Sequence, residues 1–272
     1  MALRPFLRNS SSSPSIAPAR DEAHDMVRVD VDGAVMTIRF DRPEKKNALT
    51  SGMFEAAADG LVFGESDSKV RVFVLAGAAG AFTSGNDIAE FREYAETGTV
   101  GTSIVRFMKT LATVEKPIVA AVDGLAIGIG TAMLLLCDHV VASEWSVFST
   151  PFVELGMTPE AASTLIAPRL MGYQRAFEML VMGETFDAQR AYDVGLVSRV
   201  VAPEQVEEVA MVAAENIANK PPEAVRATRN LMRGERREIT QRIDLEATGF
   251  AELLRSREAR DAFENFLNRR RR

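Results

Sequence analysis

The chain has 272 residues, 47% of them hydrophobic and 26% charged, a composition that excludes a collagen-like, coiled-coil or wholly disordered protein. The 32 Lys and Arg residues face 38 Asp and Glu residues, so the formal net charge is -6. Because the chain has no overall positive field, binding to nucleic acid or to anionic lipid through bulk charge is not expected.

The first 25 residues are predicted to form a disordered leader. Residues 1–20 contain three arginines, three prolines, a serine run and no acidic residue, a composition that does not supply a core. The prolines disfavour the amphipathic helix of a transit peptide, and no secretory signal is recognised. The uncharged stretch 124–137 is shorter than the ~20 apolar residues of a membrane span. We therefore expect a cytoplasmic protein that stays outside the membrane.

Alternating apolar and polar residues predict a β-hairpin at the start of the folded region. Its strands are 27–31 and 35–40, and an Asp-Gly pair supplies the turn between them. Asn47 and Thr50 then offer N-caps for a helix that runs to about Leu61.

Short runs of β-branched residues predict buried strands further along the chain. These runs are 70–75 and 117–122, and each is flanked by glycine or proline. Helical patterns at 104–113 and 130–137 lie between or after the runs. Because strand and helix alternate, we expect an α/β fold with βαβ units and a mostly parallel sheet.

The pattern becomes wholly helical after residue 201. Helical apolar spacing covers 206–218, 222–232 and 245–266, so the chain divides into the leader, a core at 26–201 and a helical segment at 202–272. An apolar stripe on the last helix indicates packing against the core or another subunit. Its members are Phe250, Leu253, Leu254, Phe263 and Phe266.

Histidine and cysteine are scarce, which limits the kinds of catalytic site. The chain has two histidines, His24 and His139, and one cysteine, Cys137. Cys137 lies in an apolar run, and neither histidine has the spacing of a metal site or of a Ser/His/Asp triad. We therefore expect no metal, and we expect carboxylates and backbone amides to carry the chemistry.

Two glycine-bearing segments are candidates for binding developing negative charge. They are AFTSGNDI at 81–88 and DGLAIGIGTA at 123–132. Glycine lets the backbone approach a ligand closely, and free amides at a helix start stabilise an oxyanion. Taken alone, each segment is equally compatible with tight packing of a strand against a helix.

Four segments, taken in order, resemble the crotonase superfamily of enoyl-CoA hydratases and isomerases. They are AFTSGNDI, GLAIGIG, FSTPFVELGMTPEAAS and AYDVGLVSRVV, and the resemblance covers about residues 27–270. It implies a ClpP/crotonase-like spiral of ββα units, with a C-terminal helical segment that covers the active site and forms trimers. It also implies a homotrimer or a dimer of trimers that binds acyl-CoA thioesters. No cofactor is expected apart from the coenzyme A of the substrate.

The resemblance also assigns roles to individual residues. The backbone amides of Asn86 and Ile129 are expected to form the oxyanion hole, although many family members have a third glycine where Ile129 stands. Arg42, Lys45 and Lys46 form a basic loop where the family places the nucleotide end of coenzyme A. The residues expected to line the substrate are Ser84, Gly85, Asp87, Ile88, Gly128 and Phe152, while Phe91 and Tyr94 fall in the variable acyl-pocket region.

The departures from the hydratase pattern point to a different reaction. Hydratases of the superfamily use two glutamates, and the matching positions here are Ala132 and Phe152. Glu160 instead occupies the glutamate position of the PEG or PEA motif in Δ3,Δ2-enoyl-CoA isomerases. Glu154 is a nearby carboxylate with a weaker claim. Without the resemblance, an acid in the first turn of a helix is as good an interpretation of Glu160 as a catalytic base.

We therefore expect an isomerase that moves the double bond of a 3-enoyl-CoA to give 2-trans-enoyl-CoA. Glu160 would be its single general acid and base, with a pKa raised by apolar neighbours. The alternatives are another crotonase reaction, such as hydration or ring-epoxide isomerisation, and a non-catalytic acyl-CoA-binding protein.

Overall fold

The computed structural model describes residues 26–78, 80–90 and 101–270, without the side chains of 263 and 266–270. The predicted leader at 1–25 and the predicted acyl-pocket residues Phe91 and Tyr94 lie outside the described residues. So do the side chains of Phe263 and Phe266 in the predicted apolar stripe.

The described residues contain ten β-strands arranged in two sheets. The strands are β1 (Val27–Asp32), β2 (Val35–Phe40), β3 (Val72–Gly77), β4 (Ala81–Thr83), β5 (Ile118–Val122), β6 (Leu125–Ile127), β7 (His139–Ser143), β8 (Val147–Ser149), β9 (Phe186–Asp187) and β10 (Arg199–Val201). The larger sheet has the order β1-β2-β3-β5-β7-β10, and the smaller one has the order β4-β6-β8-β9.

The larger sheet confirms the predicted hairpin and the predicted parallel arrangement. Strand β1 is antiparallel to β2, and β2, β3, β5, β7 and β10 run parallel to one another. Strand β3 is buried on both faces. Phe73 and Leu75 enter the main core, while Val72, Val74 and Ala76 join a second cluster on the opposite face. This two-sided burial explains its continuous apolar sequence.

The smaller sheet was not predicted from the sequence. Its strands are two or three residues long, which is too short for an alternating pattern to be recognised. Strands β4, β6 and β8 are parallel, and β9 is antiparallel to β8. This sheet carries both glycine-bearing segments.

The described residues also contain ten α-helices. They are α1 (Ser51–Ser66), α2 (Thr102–Thr113), α3 (Ile129–Ala132), α4 (Ser163–Met171), α5 (Tyr173–Leu180), α6 (Ala188–Asp193), α7 (Val206–Ala218), α8 (Pro222–Arg233), α9 (Arg236–Leu254) and α10 (Arg257–Arg270). Short 3-10 turns occupy Pro43–Lys45, Met133–Leu136, Val153–Leu155 and Pro203–Gln205.

Helix α7 covers the second face of the larger sheet. Its small residues Ala210, Ala214 and Ala218 recur every four positions and pack in the same cluster as β3. A spacing of four places them on one side of the helix, so α7 lies against the strands. The helical C-terminal segment therefore begins as a layer of the core.

Thr50 caps α1, as the sequence predicts, by accepting a hydrogen bond from the Met53 amide at 3.3 Å. Two other details differ from the sequence-based expectations. Asn47 does not cap a helix. It is buried, and its side chain accepts a hydrogen bond from the Arg42 amide and donates one to the Ala81 carbonyl. The predicted helix at 245–266 is interrupted after Leu254, and the Ser256 hydroxyl accepts a hydrogen bond from Ala259 in the first turn of α10.

Gly124, which precedes β6, provides a test of how closely the chain there approaches Gly80, which precedes β4. A Cβ added to Gly124, at φ +80°, would lie 2.3 Å from the Gly80 carbonyl oxygen. Gly124→Ala should therefore lower the free energy of unfolding by about 3 kcal/mol, because strain and overlap add. Gly33→Ala is the matched control, since Gly33 has φ +57° and open space, and it should cost about 1 kcal/mol. Urea denaturation of both variants checks this, and equal losses would contradict it.

Candidate active site

The pairing of β4 with β6 brings the two predicted oxyanion amides to the same end of the smaller sheet. Thr83 of β4 pairs with Ala126 of β6 in a parallel register. Asn86 lies three residues after Thr83, and Ile129 lies three residues after Ala126. Because parallel strands end at the same sheet edge, both amides lie at the carboxyl ends of adjacent strands.

The Asn86 amide points away from Leu49, the residue to which both neighbours of Asn86 are hydrogen-bonded. The Leu49 amide donates to the Gly85 carbonyl, and the Asp87 amide donates to the Leu49 carbonyl, each at 2.8 Å. In such a parallel bridge the central residue points its own amide to the opposite side. Within the described residues this amide has no hydrogen-bond acceptor.

The Ile129 amide is free because it is the first amide of helix α3. The first hydrogen bonds of the helix run from the Thr131 and Ala132 amides to the Gly128 carbonyl, at 3.1 and 3.0 Å. The Ile129 N–H precedes them, so no helical carbonyl is available to it. Gly128 precedes it with φ 59° and ψ -118°, a conformation that glycine reaches readily. In the part of the chain that is described, no acceptor lies on the Ile129 amide.

Glycines let the two amide-bearing segments touch. A Cβ added to Gly85 would lie 2.9 Å from the Ile127 carbonyl oxygen, and one added to Gly130 would lie 2.5 Å from Thr83 Cγ2. The packing role considered for these glycines is therefore real at Gly85 and Gly130. Gly128 has open space beside it, so packing does not account for that glycine.

The Glu160 carboxyl is buried beside the Asn86 loop. Glu160 is only 4% exposed, and its Oε1 has no hydrogen-bond partner among the described residues. Burial, and then the nearby Glu246 carboxylate, raises the pKa of Glu160 to about 8, while a hydrogen bond with the Asn86 side chain opposes the rise. The predicted base and the predicted oxyanion loop are thus in direct contact.

Glu160 lies in a turn that precedes helix α4. Its carbonyl accepts hydrogen bonds from the Ser163 amide at 3.1 Å and the Ser163 hydroxyl at 2.5 Å. Helix α4 begins at Ser163, so the reading of Glu160 as a first-turn helix acid is wrong. The following residues, Ala161 and Ala162, have left-handed φ values of 63° and 57°.

The positions that carry glutamates in hydratases are apolar and buried in this chain. Ala132 is fully buried at the end of α3, and Phe152 belongs to the main core. Neither side chain can hydrogen-bond a water molecule. Met157 is also buried in this core, and Leu155 packs against it. Glu154 is exposed on the 3-10 turn Val153–Leu155, which lies between Phe152 and Met157.

The lysine loop is joined to the oxyanion loop through its backbone. The Lys46 carbonyl accepts from the Ser84 amide at 2.9 Å, and the Lys45 carbonyl accepts from the Ser84 hydroxyl at 3.3 Å. Both lysine side chains are exposed. Arg42 is not available in the same way, because its guanidinium donates to Asp87 at 2.6 Å.

The remaining predicted lining residues support the loop. Asp87 accepts hydrogen bonds from Arg42 and from the Ala89 amide, as expected for a turn-stabilising carboxylate. Ile88 packs against the main core. Residues 26–78, 80–90 and 101–270 contain no cluster of three metal-ligating side chains and no helix suited to crossing a membrane.

Comparison with known proteins assigns the family. The profile of the Enoyl-CoA hydratase/isomerase family matches residues 30–272. The chain belongs to this family. Its α/β fold, with two mixed sheets and C-terminal helices, is therefore the crotonase fold, as the sequence analysis expected.

Relatives with different activities are similar to the chain. Enoyl-CoA delta isomerase 2 of Rattus norvegicus is 33% identical over 234 residues, which are 84% of this chain and 60% of that protein. The probable enoyl-CoA hydratase of Rhizobium meliloti is 30% identical over 249 residues, which are 91% of this chain and 97% of that protein. The solved structure of Pseudomonas aeruginosa OdaA has a TM-score of 0.85 and 38% identity, and the match covers 89% of this chain and 98% of that one.

These similarities identify an acyl-CoA enzyme of the crotonase superfamily. The relatives' names divide between delta isomerase and hydratase at nearly equal identity. Overall similarity therefore does not choose the reaction, and the residues in the site must decide it.

Glu246 was not predicted as a site residue; it lies on α9 and is buried beside the Glu160 turn. The helical spacing of the apolar residues could have indicated it. A buried stripe on α9 is formed by Ile239, Ile243, Phe250 and Leu254, and residue 246 falls on the same side of the helix between Ile243 and Phe250. An acid at an apolar stripe position indicates a buried carboxylate with specific partners.

The raised pKa of Glu160 predicts how stability depends on pH. The ordinary value is 4.5 and the folded value is about 8, so the protonated carboxyl favours folding at low pH and this contribution is lost as pH rises towards 8. Relative to Glu160→Gln, the free energy of unfolding of the wild type should fall across this window. Denaturation at several pH values measures the difference, and a constant difference would contradict burial of a protonated carboxyl.

Proposed function

We propose that the protein is a Δ3,Δ2-enoyl-CoA isomerase that converts a 3-enoyl-CoA to 2-trans-enoyl-CoA. The observation that carries this proposal is the buried Glu160 carboxyl, which has an unpartnered Oε1 and contacts the Asn86 loop. A base in this position faces a substrate whose thioester oxygen is held by the neighbouring amides.

The reaction requires one proton to leave and one to return. The Glu160 carboxylate takes a proton from C2 of the 3-enoyl thioester, and the electron pair moves into the thioester carbonyl to form a dienolate. The protonated Glu160 then delivers a proton to C4, the double bond forms between C2 and C3, and the carboxylate is restored. One carboxyl group acts as the base and then as the acid.

The two free amides stabilise the charge that develops on the thioester oxygen. The N–H groups of Asn86 and Ile129 are fixed by the strand end and the helix start, so they need not reorganise when the dienolate forms. Fixed dipoles in a buried site stabilise an oxyanion more than mobile water does. The α-proton of the substrate becomes more acidic as a result.

The pKa of Glu160, about 8, suits a group that both accepts and donates a proton. A carboxylate with this pKa is a stronger base than an exposed glutamate, and its acid form can return the proton near neutral pH. Burial, the main cause of the shift, also keeps bulk water away from the intermediate.

Hydration is less well supported by the same site. Adding water across a double bond requires groups that hold and deprotonate a water molecule. Ala132 and Phe152 occupy the two positions at which hydratases of the family carry glutamates, and both are buried apolar residues.

Lys45 and Lys46 are the proposed contacts for the phosphates of coenzyme A. Both side chains are exposed, and their carbonyls are joined to Ser84 in the oxyanion loop. A thioester held by this loop therefore extends its nucleotide towards the two ammonium groups. Coenzyme A enters as part of the substrate, and the proposed reaction needs no further cofactor.

Replacing the proposed base tests the function directly. Glu160→Gln should lower kcat for a 3-enoyl-CoA by about 10²–10⁴-fold, because proton transfer is lost while the size of the side chain is kept. Glu154→Gln is the matched control, since Glu154 is an exposed carboxylate six residues away, and it should retain wild-type kcat. The absorbance of the conjugated product measures the rate, and calorimetry with an acyl-CoA checks that both variants still bind thioester.

The alternatives give different results in the same experiments. Full activity of Glu160→Gln would eliminate this base. Rapid hydration of a 2-enoyl-CoA in labelled water, with little isomerisation, would indicate a hydratase. Thioester binding without exchange of the substrate α-proton in deuterated water would indicate a non-catalytic binding protein.

We also propose that the protein assembles as a homotrimer or a dimer of trimers. Large apolar side chains on α8 support an interface there, because Leu231 is 86% exposed and Met232 is 83% exposed in the single chain. Light scattering should give a mass three or six times 29.7 kDa. Leu231→Glu together with Met232→Glu should lower that mass if α8 lies in the interface, and a monomeric wild type would contradict the proposal.

A further inference from the structure

A second buried glutamate holds the turn that carries Glu160. Glu246, on α9, is 5% exposed. Its Oε2 accepts a hydrogen bond from the Ala162 amide at 2.6 Å. Its Oε1 accepts from the Thr164 amide at 2.9 Å and from the Thr164 hydroxyl at 2.6 Å. The carboxylate is therefore fully engaged with the chain just after Glu160.

These hydrogen bonds replace a missing helix cap. Helix α4 has Ala162 at its N-cap position, and this side chain cannot accept a hydrogen bond. The first amides of a helix need acceptors, and negative charge is favourable there. Glu246, which lies 84 positions after Ala162, supplies both the acceptor oxygens and the negative charge. The start of α4 thus depends on α9.

Glu246 also contacts the chain before Glu160. Its main-chain carbonyl accepts a hydrogen bond from the Thr158 hydroxyl at 3.3 Å. One residue of α9 therefore binds the loop two residues before Glu160 and again two and four residues after it. The position of the Glu160 carboxyl is set by contacts on both sides.

The turn needs such support because its backbone is strained. Ala161 and Ala162 adopt consecutive left-handed conformations, with φ values of 63° and 57°. Residues with a Cβ disfavour this region, which glycine enters freely. Strained conformations of this kind persist only where surrounding contacts hold them.

The charged groups around the turn are few and can be identified. Glu160 contacts the Asn86 side chain and lies near the Glu246 carboxylate. The Arg242 guanidinium donates to the Thr164 hydroxyl at 3.0 Å, from the same helix as Glu246. Arg169 of α4 pairs with Glu238 of α9 at the surface, and Lys109 of α2 pairs with Asp244 on α9.

We propose that Glu246 is a positioning residue that holds the Glu160 carboxyl against the Asn86 loop. A negative charge on the neighbouring Glu246 carboxylate also disfavours a second negative charge on Glu160. This inference rests on the proposed role of Glu160 as the acid and base of the isomerase. Glu246 acts through the turn and does not touch the substrate.

Glu246→Gln is the first test. Glutamine has nearly the same shape, but it is neutral, and its amide nitrogen cannot accept from the Ala162 or Thr164 amide. We expect kcat to fall by about 10²-fold, since small displacements of a catalytic group have effects of this size, while KM changes little. Glu238→Gln is the matched control, because it removes an exposed link between the same two helices, and it should leave kcat unchanged.

The titration of Glu160 provides a readout that a merely structural role would not move. In the substrate-free enzyme, the infrared band of the protonated carboxyl that is lost in Glu160→Gln should disappear around pH 8 in the wild type. Glu246→Gln should shift this midpoint to lower pH, because a neighbouring negative charge has been removed. An unchanged kcat in Glu246→Gln would overturn the proposed positioning role, and an unchanged midpoint would show that the charge of Glu246 does not act on Glu160.

A double variant tests whether strain in the turn connects the two residues. Ala161→Gly removes the Cβ that disfavours the left-handed conformation. It should therefore restore part of the kcat lost in Glu246→Ala while having little effect on the wild type. Equal effects of Ala161→Gly in both backgrounds would show that Glu246 does not hold the turn.

Failure of the two proposals can be distinguished. A wild type without isomerase activity contradicts the proposed function, whereas the infrared midpoint still reports on the effect of Glu246 on Glu160. Normal isomerase activity that requires Glu160 but is unaffected by Glu246→Gln overturns only the role of Glu246. If Glu246→Ala does not fold, the nearly isosteric Glu246→Gln still decides the outcome.

Discussion

The parallel pairing of β4 with β6 is the contact on which the site depends. It aligns Thr83 with Ala126. Three residues after each of them lies an amide, that of Asn86 or Ile129, that lacks an acceptor in the described chain. The close approach is possible because Gly85 and Gly130 have no Cβ. Strands of three residues have little stability of their own, and Phe82 of β4 and Ala126 of β6 are packed in the main core.

The proposed base is positioned in a different way. Glu160 is held by a turn rather than by a strand, and the turn is stabilised by a helix from the C-terminal segment. Two buried carboxyl groups in one region would ordinarily be unfavourable. Glu246 is compensated by three hydrogen bonds, whereas Glu160 Oε1 has none among the described residues. This difference supports the proposal that Glu160, and not Glu246, exchanges protons.

Much of this arrangement could be predicted from the sequence, for identifiable reasons. The hairpin and strands β3 and β5 have long apolar or alternating patterns, and the later helices have clear helical spacing. Strands β4, β6, β8 and β9 are too short for periodicity. The role of Asn47 was missed because a polar residue before a helix resembles a cap, although this one bonds buried loop groups. Glu246 resembles any helical glutamate until its partners, more than 80 residues away, are known.

The separation between Glu160 and Glu246 also means that the two residues leave the ribosome at different times. During synthesis the chain emerges from its N-terminus, and domains begin to fold before they are complete. A chain that has emerged only as far as α8 contains the oxyanion amides and Glu160, but not the helix that holds the strained turn. The proposed base is therefore held in place only after α9 has been synthesised and has packed against the turn. A chain that ends before α9 would carry the Glu160 carboxyl without the hydrogen bonds that hold its turn.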